Sequence, residues 1–249
     1  MRPAEFYTGI VPDVYTVLRS MHFSTERYRS FVQSSGAPAL ELGCGDSSPF
    51  YDLAAEGMDI EGVDSSPDMV RRGRERLAAD GAEAPVRLQR MEELTLERRF
   101  ASIYLAGPTF NLLPDDPTAQ QALHAIHRHL LPGGSALVPL WTPPPTPDEE
   151  IGVTRSAQSG SADVRLTVLR EQYDAARRTR TTELKYELIT AAQSTVEHRE
   201  WVIHWYEPEG FRELAANAGM GVTYTDVDEQ QMEAILQPMA STVGPANFS

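Results

Sequence analysis

Leu40-Glu41-Leu42-Gly43-Cys44-Gly45 closes a short apolar run in a turn with two glycines. Glycine permits φ angles and a close backbone approach that a β-carbon would obstruct. In open α/β sheets, ligands bind beyond the carboxyl ends of the strands. The next such segment, Asp59 to Asp64, ends in an acid, and the carboxylate of Asp64 can accept both hydroxyls of a ribose. A glycine-rich turn followed by a strand-end aspartate therefore reads as a nucleoside pocket. A dinucleotide site would continue as G-x-G-x-x-G, but Ser48 stands where the third glycine would fall. No recognisable Tyr-Lys or Cys-His arrangement supports a nicotinamide-dependent oxidoreductase either.

The elements that must position these groups follow from periodicity and punctuation. Residues 1–36 carry Tyr15, Leu18, Phe23, Tyr28, Phe31 and Val32 at helical spacing and end in Ser34-Ser35-Gly36, which predicts one or two helices. From Pro38, strand, tight turn and helix (Pro49 to Gly57) follow one another. The unit repeats with a strand to Asp64 and a helix from Asp68 to Ala79, for which Ser66-Pro67 supplies an N-cap and a preset φ. Apolar segments at Pro85–Leu88, Phe100–Ala106 and Ser135–Leu140 flank a helix at Thr118–Leu131 that stops at Pro132-Gly133-Gly134. Strands alternating with helices at this spacing imply βαβ crossovers and a parallel sheet.

After Pro143-Pro144-Pro145-Thr146-Pro147 the pattern changes. The polar stretch to Ser161 reads as a loop, and the part from Asp148 to Asp163 as a lid over substrate or a tolerated insertion, with the lid favoured. Val164–Gln172, Thr179–Ile189 and Thr195–Tyr206 alternate and are rich in Thr, Val, Tyr and Trp, as inserted antiparallel strands would be. Pro208–Gly219 reads as a helix and Met220–Val227 as the final strand.

With 36 acidic and 22 basic side chains the formal charge is −14, which repels polyanions and disfavours nucleic acid as substrate. No run approaches the roughly 20 apolar residues that span a bilayer. The first residues lack the apolar run of a secretory leader, and the lone Cys44 can form no intrachain disulfide, so the expected address is the cytoplasm, with no membrane partner. His124, His127 and His129 fall near the end of one helix without a completing ligand set and read as a solvated face, so no metal is expected.

The stretch from Pro38 to Leu140 resembles the class I S-adenosylmethionine-dependent methyltransferase family. The family's first motif is similar to Leu40 to Gly45, which implies that Glu41, Gly43, Cys44, Gly45 and Ser47 hold the amino acid end of the cofactor; Ser47 replaces the family's third glycine. Val63-Asp64-Ser65-Ser66-Pro67-Asp68-Met69 resembles the next motif, implying Asp64 and Ser65 at the ribose and Met69 against the adenine. Arg90-Met91-Glu92-Glu93-Leu94 resembles the third motif, with Arg90 where the family has Asp. Met91 and Glu92 are then the cofactor-binding residues there, and Glu92 or a backbone carbonyl accepts from the adenine amino group. Phe110-Asn111-Leu112-Leu113 and Leu131-Pro132-Gly133-Gly134 resemble the exit of the fourth strand and the turn before the fifth, and Ala106 joins the cofactor set. The expected fold is α/β, with a Rossmann-like, mostly parallel seven-stranded sheet, an N-terminal helical cap (1–36) and an antiparallel β insertion (143–207) after the fifth strand. Residues 37–142 and 208–249 form the core.

Methyl transfer from a sulfonium is an in-line displacement, so the protein's main task is alignment in a dry site. DNA amino-methylating enzymes carry Asn or Asp, two prolines and an aromatic after the fourth strand, whereas this chain has Ala106-Gly107-Pro108-Thr109-Phe110. That and the acidic charge point to a small-molecule substrate. Tyr7 and Tyr15 in the cap, with the strand insertion, resemble the sugar-amine and lincosamide N-methyltransferases of antibiotic biosynthesis, which implies an amine acceptor. Tyr7, Tyr15, Phe110 and His204 are the candidates for lining the acceptor site, with simple packing as the competing reading for Tyr7, Tyr15 and His204. An O-methyltransferase or a noncatalytic binding protein of the same fold are the alternatives. The cap and inserted strands could also form a homo-oligomer interface.

Overall fold

The computed structural model describes residues 3–18, 23–225 and 230–239. The cap is three helices, α1 (Pro3–Phe6), α2 (Val11–Leu18) and α3 (Thr25–Ser35). Then β1 (Ala39–Leu42), α4 (Phe50–Ala55), β2 (Ile60–Asp64), α5 (Pro67–Asp80), β3 (Val86–Leu88), β4 (Phe100–Tyr104), α6 (Asp116–His129) and β5 (Leu130–Trp141) alternate as expected. The helix ends follow local chemistry: Ser66 Oγ accepts from the Met69 amide at the start of α5, and Asp115 does the same for Thr118 at the start of α6.

Strand order in the main sheet is β10-β11-β5-β4-β1-β2-β3, where β10 is Met220–Thr225 and β11 is Gln231–Pro238. β1 to β5 pair in parallel, while β11 runs antiparallel between β10 and β5. Both faces are covered, as a parallel sheet requires. On one side Leu40, Leu42, Ile103 and Leu105 pack with Leu123 and Ile126 of α6 and with Phe211 of α7 (Pro208–Asn217). On the other, Tyr104 and Leu137 meet Tyr28, Phe31, Phe50, Leu53 and Leu77.

A second sheet, β6 (Thr154–Ser159), β7 (Ala162–Asp174), β8 (Thr179–Ile189) and β9 (Ser194–His204), is wholly antiparallel. Val164, Leu184 and Tyr186 on its inner face bury Phe6, Ile10, Val11 and Val14 of the cap.

Three expectations are corrected. Part of the stretch read as loop is strand β6, an exposed polar edge (Thr-Arg-Ser-Ala-Gln-Ser) without apolar alternation, joined to β7 by a two-residue turn in which Gly160 has φ 61°. Met220–Thr225 is not the last strand, because β11 follows. Its Met, Glu, Ala, Leu and Gln are helix formers, and pairing on both edges overrides that preference. His129 does not face solvent: it is buried, with Nδ1 2.7 Å from the Ala125 carbonyl and Nε2 accepting from Leu96 N at 3.1 Å. The end of the expected strand at 226–227 lies outside the described residues. No described helix is long and apolar enough to cross a membrane.

Candidate functional site

Beyond the carboxyl ends of β1, β2 and β4 lies a cavity, and the turn after β1 forms its floor. The amides of Gly43 and Cys44 both donate to the Val63 carbonyl, at 2.7 and 3.1 Å, which fastens the turn to β2. Gly43 has φ 73°, and a Cβ there would meet Thr109 Cγ2 at 2.5 Å. Gly45 has φ 56°, with nothing within 4 Å of where its Cβ would be. Torsion and crowding both call for glycine at 43, torsion alone at 45.

Asp64, at the end of β2, lines the cavity with both oxygens anchored: Gly45 N donates to Oδ2 at 2.9 Å and Ser66 N to Oδ1 at 2.8 Å. Burial raises its pKa above the ordinary value, and the amides of Ser66 and Gly45 offset only part of that rise. Glu41 lines the same cavity at 1% exposure, with Oε2 lacking any hydrogen-bond partner and its carboxyl held well above the usual range by burial. A buried, orphaned carboxylate oxygen fits a cationic donor such as the ammonium of an amino acid end, and Asp64 fits vicinal hydroxyls. The donor and acceptor chemistry of these residues fits S-adenosylmethionine. Farther along, Arg90 pairs at 2.5 Å with Glu92, whose side chain is 6% exposed, at the edge reached by Met69 and Met91.

The same cavity is also lined by Tyr7, Tyr15, Phe23, Pro108, Thr109, Leu112, Leu113, Trp141, Trp201 and Ile203, none of which is charged. The Tyr7 and Tyr15 rings meet edge to face, 5.2 Å between centroids, and burial pushes the Tyr7 hydroxyl well above its usual pKa.

The cap is held over the cavity from both sides. Ser66 Oγ donates to the Tyr7 carbonyl at 2.5 Å, Gly9 N to Asp68 Oδ2 at 3.0 Å, and Arg72 bridges Asp46 in the glycine turn to Asp13 on α2. From the second sheet, Glu197 Oε1 accepts from Ile10 N at 3.4 Å and Arg199 Nε donates to the Phe6 carbonyl at 3.4 Å.

Of the residues singled out from sequence, Glu41, Gly43, Cys44, Gly45, Ser47, Asp64, Ser65, Met69, Met91, Glu92 and Ala106 all line this one cavity, with Tyr7 and Tyr15. Phe110 and His204 do not. Phe110 is fully buried against Tyr206 and Phe211, because the short turn that presents Thr109 and Leu112 to the cavity aims it into the core. Strand alternation turns Trp201 and Ile203 inward and His204 away, towards the start of α6, where Nε2 lies 3.6 Å from Asp116 Oδ1. Sequence reading missed Trp141, Trp201 and Ile203. The signal for Trp141 was its place at the ligand-side end of β5, and for the other two their shared parity on β9. Among the described residues no group of three or more His, Cys, Asp or Glu could hold a metal.

Comparison with known proteins agrees with this geometry. Residues 39–134 match a family model described as a methyltransferase domain. A carboxy-S-adenosyl-L-methionine synthase of Yersinia pestis (strain Pestoides F) is 30% identical over 132 residues, 51% of this chain and 48% of that protein. The chain thus matches about half the length of its curated relative. Among solved structures, the sugar N-methyltransferase KedS8 from Streptoalloteichus sp ATCC 53650 superposes with a TM-score of 0.75 at 22% identity, covering 94% of each chain. A S-adenosylmethionine-dependent methyltransferase from Clostridium acetobutylicum ATCC 824 also gives 0.75, at 12% identity, over 92% of this chain and 97% of the other. CalS10, an amino pentose methyltransferase from Micromonospora echinaspora, gives 0.66 at 18% identity, over 92% and 97%. Residues 39–134 are thus similar to a methyltransferase domain, and the chain has the fold of class I S-adenosylmethionine-dependent methyltransferases.

Proposed function

We propose that this protein transfers the methyl group of S-adenosylmethionine to the amine of a small molecule. The observation that carries the reading is one cavity lined both by carboxylates (Glu41, Asp64, Glu92), which we assign to the cofactor, and by uncharged, largely aromatic and apolar residues, which we assign to an acceptor end. The cofactor supplies an electrophilic methyl group and leaves as S-adenosylhomocysteine. Asp64, fixed by the amides of Gly45 and Ser66, accepts from the ribose hydroxyls without having to reorient. Glu41 accepts from the amino acid ammonium, Gly43 to Ser47 lie along that end, Met69 and Met91 pack on the adenine, and Glu92, oriented by Arg90, accepts from its amino group.

Two features favour nitrogen over oxygen as nucleophile. A hydroxyl acceptor must lose a proton as it reacts, yet the cavity is lined by no histidine, and Glu41, Asp64 and Glu92 are the carboxylates assigned above to the cofactor. The Tyr7 hydroxyl, with its pKa raised, orients rather than deprotonates. An uncharged amine already has its lone pair. The similarity to proteins described as a sugar N-methyltransferase and an amino pentose methyltransferase supports the same choice, and an acceptor from antibiotic or aminosugar metabolism. Labour divides accordingly: residues 37–142 and 208–249 serve the cofactor, while the cap (1–36) and the insertion (143–207) shape the acceptor site.

Calorimetry with S-adenosylhomocysteine tests the cradle. Wild type is expected to bind at micromolar protein and Asp64→Ala to lose binding while remaining folded. Methyl transfer to a panel of aminosugars and amino-amides tests the acceptor class. No binding by folded wild-type protein would end the reading.

A further inference from the structure

Two of the residues that wall the acceptor end, Trp141 and Trp201, share a buried cation. The guanidinium of Arg180, on β8, lies 4.8 Å from the ring centroid of Trp141 and 5.5 Å from that of Trp201. Arg180 is 7% exposed and is not among the residues that line the cavity. Its Nη1 donates to the Pro144 carbonyl at 3.0 Å, and its Nε is buried without a hydrogen-bond partner. The acid that faces it, Glu171, has a side chain 7% exposed, with Oε2 3.7 Å from Arg180 Nε. Its two oxygens are taken by Thr146 N at 2.7 Å, Thr146 Oγ1 at 2.5 Å and Thr182 Oγ1 at 3.2 Å. Glu171 therefore balances the charge without capping the guanidinium.

Tryptophan rings around a cavity ordinarily form a cage for quaternary and protonated amines, because the ring faces attract a cation. Here the protein's own guanidinium already exploits that attraction, and a second cation among the same rings would meet a like charge across a low-dielectric wall. We propose that Arg180 is a specificity-determining residue that makes the acceptor end admit the uncharged form of an amine and reject the ammonium. This rests on the acceptor site proposed above and deepens it. An amine held without its proton keeps the lone pair that attacks the methyl carbon; the new N–C bond forms as the S–C bond breaks, and the resulting methylammonium is disfavoured by the same cation, which promotes its release.

Choline and its uncharged isostere 3,3-dimethylbutan-1-ol test this on the full chain saturated with S-adenosylhomocysteine, with tryptophan fluorescence and calorimetry as readouts. Wild type is expected to bind the alcohol at least about tenfold more tightly than choline. Arg180→Gln and Arg180→Met leave Glu171 uncompensated and are expected to reverse that order, while Arg180→Lys keeps it. Retained binding of S-adenosylhomocysteine shows that a variant is folded. Should both neutral variants lose it, Glu171→Gln takes their place and is expected to weaken choline further. The proposal is overturned if wild type binds choline as well as the alcohol, if it binds neither at millimolar concentration, or if the order is unmoved in a folded neutral variant. Failure of wild type to bind S-adenosylhomocysteine would instead remove the methyltransferase reading itself.

Discussion

The backbone N–H of Leu96 ends on Nε2 of His129, 3.1 Å away, while the opposite nitrogen of the ring faces the Ala125 carbonyl at 2.7 Å. An amide can donate to Nε2 only through that nitrogen's lone pair, so the tautomer that fits both contacts donates from Nδ1 to Ala125. Leu96 follows the turn that carries Met91 and Glu92 into the cofactor cavity, and the bond ties that turn to the end of α6. His129→Leu leaves the part-buried Leu96 amide without its partner and is expected to cost about 1 kcal/mol of stability. Affinity for S-adenosylhomocysteine should fall with it, and His129→Gln should recover part of both. Urea unfolding and calorimetry measure the two effects; unchanged affinity in the leucine variant would separate the turn from the site.

Glu41 gives a pH signature. Its carboxyl is held above the ordinary range by burial, so the folded protein binds a proton there that the unfolded chain has released. That contribution to stability is present below the unfolded pKa and lost as pH rises through the folded one. Glu41→Gln should therefore raise the melting temperature of the ligand-free protein at pH 8 relative to wild type, and narrow the gap towards pH 4. It should also weaken S-adenosylhomocysteine binding by about tenfold or more, since a charge-assisted hydrogen bond is lost. Thermal melts across that range, with and without S-adenosylhomocysteine, would show both effects.

Arg72 joins Asp46 in the glycine turn to Asp13 in the cap. Asp13→Asn removes the cap side of this bridge and leaves the cofactor turn intact. S-adenosylhomocysteine affinity should stay within about twofold, while residues 6–18 should exchange amide hydrogens faster and no longer slow down when S-adenosylhomocysteine binds. Equal protection in wild type and variant would show that the bridge does not hold the cap.

Phe110 behaves as core. Phe110→Ala is expected to cost about 3–5 kcal/mol, measured by urea unfolding, and Phe110→Leu much less. The leucine variant should bind S-adenosylhomocysteine as wild type does; a large affinity loss there would return Phe110 to the site.

The parallel half of the fold was legible because its punctuation is local: glycines after β1, Asp64 closing β2, Ser66-Pro67 opening α5. The eleven residues proposed for the cofactor follow from the same motifs, and they line one cavity because the motifs mark strand ends that the crossovers bring side by side. The acceptor end was only half legible. Tyr7 and Tyr15 stood out by type, but the roles of Trp201 and Ile203 depend on which face of β9 turns inward, and strand parity cannot be read before the partner sheet is known. His204 is the converse case, a residue chosen for its chemistry on the face that points away. β11 escaped because its residues prefer helix, and Arg180 because an arginine in an alternating strand reads as solvent-facing until two tryptophans enclose it.

The strand β9 does two things at once: Glu197 and Arg199 hold the cap segment at Phe6 to Ile10, and Trp201 and Ile203 line the cavity at the proposed acceptor end. The cap and the small sheet thus pack as one unit whose two parts are far apart in the linear chain, and on the function proposed above they would act as one cassette. Grafting residues 143–207 from a relative would transplant the far wall but break its seam with the resident N-terminus. A working chimaera would have to exchange residues 1–18 and 143–207 together.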